Sequence, residues 1–100
     1  MSRVQGIVMD LEHWRSQIDH LNRRLVELLS ERARCAIEVG KIKRAEGKPL
    51  YAPERETAVL NQLKELNQGP FSDDAVQRIF RQIIDETLRL EKDHAEEEES

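Results

Sequence analysis

A chain of 100 residues holds one domain rather than two. Its make-up, 38% hydrophobic and 36% charged with four glycines and three prolines, favours a charge-laced helical protein over a β-sandwich. No apolar run approaches the ~20 residues that span a bilayer, and the opening "MSRVQGIVMD" has no secretory pattern. A single cysteine, Cys35, excludes an internal disulfide or a multi-cysteine metal site, so a cytoplasmic protein is expected. Net charge is −4, yet residues 91–100 alone sum to −5 and leave residues 1–90 near +1. That body gives no electrostatic case for nucleic acid.

Residues 1–9 carry no signal that assigns them. From Asp10 the apolar positions fall at Leu11, Trp14, Ile18, Leu21, Leu25 and Leu28, then at Cys35, Val39 and Ile42. The steps alternate three and four, which predicts one long amphipathic helix. Asp10 is the expected N-cap, and Gly47 with Pro49 in "EGKP" ends the helix near Glu46. Gly40 inside it costs about 1 kcal/mol of propensity, too little to break so periodic a segment.

A second helix begins at "APERE", with Pro53 in its first turn, where a missing N–H does no harm. Its face is Val59, Leu60, Leu63 and Leu66, and "NQGP" stops it. The third follows Ser72 as N-cap, with Asp73 and Asp74 suited to the positive helix end. Its stripe is Val76, Ile79, Phe80, Ile83, Ile84, Thr87, Leu88 and Leu90. Residues 93–100, dominated by glutamate, are expected to be a disordered, solvating tail.

Length bears on assembly. A helix of roughly 35 residues is about 50 Å long, whereas a compact globule of this size spans only about 35 Å. Two shorter helices cannot cover so long a seam, which predicts an intertwined homodimer with the long helices paired. The expected fold is therefore all-α, three helices per chain, in a dimeric bundle.

The seam has polar interruptions. Arg32 fills a place in the apolar series, and Lys43, 11 residues on, points within about 20° of the same direction. Ala36 and Val39 lie between them as a shallow apolar floor, with the two backbones about 16 Å apart. Burying either cation alone would cost several kcal/mol, so something negative must meet them. One answer is an internal ion pair, Arg32 with Glu31 or a carboxylate of another helix and Lys43 with Glu46. The other is a small anion. Glu56 on the apolar face of the second helix, beside Arg55, and Thr87 and Glu91 on the third add polar groups where apolar ones would pack better. Together they favour a polar pocket within the bundle. Arg15, 17 residues before Arg32, lies about 25 Å from it along one helix. It can share such a pocket only by entering that of a partner chain.

In this combination the sequence resembles the all-helical chorismate mutase family. The carrying segments are "EHWRSQID", "LLSERA", "EVGKIK", "YAPERE" and "IFRQIIDETLRLE", in order over residues 10–92. The likeness is greatest to mutase domains fused to prephenate dehydratase or to the first shikimate-pathway enzyme; a free-standing mutase and an excised domain both stay open. The resemblance implies rearrangement of chorismate to prephenate without covalent intermediate, metal or organic cofactor, in the biosynthesis of phenylalanine and tyrosine. Positioning and preorganised electrostatics would carry the rate. It assigns Arg32 and the partner's Arg15 to the two carboxylates, where guanidinium forks suit the geometry. Lys43 would donate to the ether oxygen and a carboxylate, Glu56 would accept from the ring hydroxyl, Arg55 would order the site, and Thr87 would sit near a carboxylate.

Two positions depart from the family pattern. Glu91 stands where some relatives have Gln, and an ionised Glu cannot donate to an ether oxygen. The expectation is that Glu91 works protonated, its pKa raised by burial and by the substrate's charge. Ala52 stands where some relatives have Asp, so any contact there must come from backbone. Two other readings compete. One is a lyase of the same fold that splits isochorismate into salicylate and pyruvate, and the other is a helical dimerisation or regulatory module without turnover. Cys35 reads as a small seam hydrophobe, and His13, His20 and His94 are too scattered for a metal site.

Overall fold

The computed structural model describes residues 2–99, with side chains for residues 10–97. Three helices and, among the described residues, no strand make up the fold: α1 (Ser2–Ala45), α2 (Pro53–Leu66) and α3 (Asp73–Glu99). By compactness the chain divides into two units, Met1–Arg32 and Ala33–Ser100.

The first unit is the leading part of α1. It starts eight residues ahead of the expected cap, so Asp10 lies inside the helix rather than at its end. Residues 2–9 contain one glycine and no proline, and nothing in them interrupts the hydrogen-bond ladder. Within this unit the predicted apolar series faces solvent: Leu11, Ile18, Leu21, Leu25 and Leu28 are exposed, and Trp14 retains 63% of its accessible surface. His13 stacks edge-on against Trp14, ring centroids 5.0 Å apart.

The second unit holds the end of α1 with α2 and α3. The end of α1 and the starts of α2 and α3 follow the sequence signals closely. At the end of α1, Gly47 adopts φ 69°, a left-handed conformation that glycine enters without a Cβ penalty. The amide of Lys48 donates to Lys43 O (2.7 Å) and that of Gly47 to Arg44 O (3.1 Å), the paired bonds of a Schellman ending. Pro53 opens α2. Ser72 caps α3, its Oγ accepting from the amide of Ala75 at 3.1 Å.

Between α2 and α3 the turn is organised by Asn67. Its Nδ2 donates to Phe71 O (2.8 Å) and to Asp73 Oδ1 (2.9 Å), and its Oδ1 accepts from the amide of Gly69. The two helices then pack together, with Gln77 Nε2 donating to Leu60 O across them at 3.4 Å. Leu60, 8% exposed, is the deepest apolar side chain described. Val59, Leu63, Val76, Phe80, Ile83, Ile84 and Leu88 are half-buried around it, whereas the stripe members Leu66, Ile79 and Leu90 are exposed.

Beyond residue 92, where a disordered tail is expected, α3 continues as helix through Glu99. From Asp73 onward there is neither glycine nor proline, and alanine and glutamate are good helix formers. The glutamates do oppose the macrodipole at this end, but that penalty falls short of a break.

Candidate functional site in the second unit

Gly40 is buried in α1, three residues before Lys43 and four before Arg44, so the three share a face. A Cβ built on Gly40 would stand 3.5 Å from Arg44 Nη1, 3.5 Å from Glu91 Oε2 and 3.6 Å from Leu50 Cδ2. The end of α1, the connecting segment and α3 therefore converge above a residue that has no side chain of its own. The Schellman ending directs this convergence, because it turns the chain back after Gly47 and sets Leu50 over Gly40.

Lys43 is half-buried, and its Nζ donates to Leu50 O at 3.0 Å. One of three ammonium hydrogens is engaged on a neutral carbonyl, so the positive charge is oriented without being cancelled. Glu46, the partner that an internal ion pair would have used, bonds instead to Lys48 at 3.1 Å. Glu91 is 9% exposed, the one buried charged residue among those described. Thr87, one turn earlier on α3, is half-buried and donates its hydroxyl hydrogen to Ile83 O at 2.6 Å.

The remaining predicted residues are placed as follows. Glu56 is half-buried in the first turn of α2 and Arg55, beside it, is exposed. Ala52 precedes α2, where its carbonyl accepts from the amide of Glu56 at 3.1 Å and no side chain caps the helix. Arg15 and Arg32 belong to the first unit, where Arg15 is exposed and Arg32 half-buried. Cys35 is exposed.

Sequence reasoning missed Gly40, Arg44 and Leu50. The first two had a readable signal, since a glycine with cations three and four residues later marks a bare patch beneath two long side chains. Leu50 had none, because its role comes from a backbone carbonyl. Chemically, the cluster offers an oriented ammonium, a guanidinium and a sheltered carboxyl beside an apolar floor. Such an arrangement can hold an anionic ligand and exchange hydrogen bonds with it while most water is kept away.

Comparison with known proteins gives one family. The family model described as chorismate mutase type II matches residues 14–92. The chain is 44% identical over 87 residues to the bifunctional chorismate mutase/prephenate dehydratase of Stutzerimonas stutzeri, covering 82% of this chain but 24% of that protein. It thus spans about a quarter of the length of such bifunctional relatives. The chain is 28% identical over 92 residues to the chorismate mutase of Methanocaldococcus jannaschii, covering 91% of this chain and 93% of that one. Among solved structures, the chorismate mutase (form II) of Thermus thermophilus superposes with a TM-score of 0.81 at 36% identity, covering 82% of this chain and 93% of that chain.

Proposed function

The chain belongs to the chorismate mutase type II family, and on that premise we propose that it rearranges chorismate to prephenate by a pericyclic 3,3-shift, within the route to phenylalanine and tyrosine. We assign the mutase domain to residues 10–92 and place the reaction in the cytoplasm, the compartment its composition suggests. The observation that carries the reading is the burial of Glu91 in a unit that leaves several of its leucines and isoleucines exposed. Sheltering a carboxyl before those side chains costs stability, and the natural return on that cost is a polar ligand site.

In the proposed mechanism the protein performs no covalent step. Arg32 and Arg15 of a second chain grip the two carboxylates and hold the substrate in its compact chair-like form, a gain in effective concentration. Lys43, already oriented by Leu50 O, turns its remaining N–H groups to the ether oxygen and a carboxylate. Charge develops on that oxygen as its bond to carbon breaks, so a fixed cation there lowers the barrier more than it aids binding. Glu91 in its protonated form donates from the opposite side. Glu56 accepts from the ring hydroxyl, Arg55 orders the rim, and Thr87 meets a carboxylate once its hydroxyl swings away from Ile83 O.

The homodimer is part of this proposal. Its support is the exposed series from Leu11 to Leu28, an apolar face suited to a second copy of the same helix. The test is direct: purified protein is mixed with chorismate, and loss of the substrate's ultraviolet absorbance is followed together with acid-labile prephenate. Turnover of isochorismate to salicylate and pyruvate, with chorismate untouched, would replace the mutase reading by the lyase. Absence of turnover with either substrate would leave a binding module.

A further inference from the structure

We infer that Arg44 is a positioning residue that governs the protonation of Glu91, and thereby the pH range in which the site works. The inference rests on the mutase reading for its effect on turnover, but its physical core does not.

Arg44 Nη1 and Glu91 Oε2 each lie 3.5 Å from the same point above Gly40, so they are separated by at most twice that distance. Glu91 is buried and Arg44 half-buried, which places the pair where screening by water is weak. Two influences act on the Glu91 carboxyl in opposite senses. Burial, and the double negative charge of a bound dicarboxylate, favour the protonated form, whereas a guanidinium at this range favours the ionised form. An ionised Glu91 has no hydrogen to give an ether oxygen.

From α1, Lys43 is the second cation, held on Leu50 O. The connecting segment presents the apolar Leu50. On α3 itself, Thr87 and His94 stand one turn to either side of Glu91. From α2 the half-buried charged side chain is Glu56. Arg44 is the cation that shares the Gly40 surface with the carboxyl and has no assigned contact with substrate.

The sign follows directly. A carboxyl that must carry its proton is active below its pKa and inactive above it. Arg44 lowers that pKa, so its removal moves the alkaline limb of kcat/KM to higher pH. The experiment compares wild type with Arg44→Leu, Arg44→Gln and Arg44→Lys. Two readouts are used: the carbon-13 titration of the Glu91 carboxyl in ligand-free protein, and the pH profile of kcat/KM with chorismate. Both midpoints should rise by about one unit, a tenfold change in the proton equilibrium, in the two neutral variants. Arg44→Lys, which keeps the charge, should stay near wild type, and His94→Gln should leave the Glu91 titration in place. With Glu91→Gln the profile should flatten and become indifferent to Arg44. An unmoved Glu91 midpoint in both neutral variants overturns the inference, as does a moved midpoint with an unmoved alkaline limb. A moved midpoint in a protein that never turns over chorismate upholds the coupling and sinks the mutase reading instead.

Discussion

At the scale of single residues, a cation and a glycine carry the clearest expectations. Replacing Lys43 by Met keeps the aliphatic stem but removes the N–H on Leu50 O and the charge we assign to the ether oxygen. Turnover should fall by about 10²–10³-fold, the loss typical of one preorganised donor. Thermal stability should drop by about 1 kcal/mol for the lost hydrogen bond, and steady-state kinetics beside a melting curve would separate the two. Gly40 makes the opposite case. The space above it would receive a Cβ at ordinary contact distances of 3.5–3.6 Å, and alanine is the better helix former by about 1 kcal/mol. Gly40→Ala should therefore raise the urea midpoint, and a lowered midpoint would show that the floor is tighter than these distances imply.

At the scale of elements, punctuation residues do what their chemistry dictates. Ser72→Ala removes the Oγ that accepts from Ala75 and should cost about 1 kcal/mol. Gly47→Ala forces a Cβ into φ 69° and should cost about 1–2 kcal/mol; it should also reduce activity, because the turn places Leu50. Both are measured by denaturant unfolding. The sequence made these ends legible because caps and stops are local: Pro53, Ser72 and Gly47 act on neighbours within five positions. The start of α1 and the end of α3 were not legible. There the chain has no breaker, and an apparent cap such as Asp10 or a run of like charge such as Glu96–Glu99 is too weak to end a helix. The side-chain cluster around Gly40 was legible in part for a related reason. Lys43 and Glu91 betrayed themselves as charges interrupting an apolar stripe, whereas Arg44 fell outside the stripe and its relation to Glu91 spans 47 positions of sequence.

At the scale of the whole molecule, the decisive feature is the face of α1 from Leu11 to Leu28. Large side chains left in water there forgo roughly 1.5–3 kcal/mol each relative to full burial, which is the driving force we assign to pairing. A charge placed on it, Leu21→Glu, should yield a monomer by light scattering and abolish turnover while leaving α2 and α3 helical. If sites are composite, inactive Arg15→Ala and Lys43→Met chains mixed and allowed to exchange should recover about a quarter of wild-type activity, since half the pairs are hybrid and each hybrid keeps one intact site. A catalyst assembled by encounter has a rate law that remembers its own dosage. On the proposed pairing, dilution below the level at which pairs persist should make each chain less effective, so that output per molecule rises with abundance before it levels off.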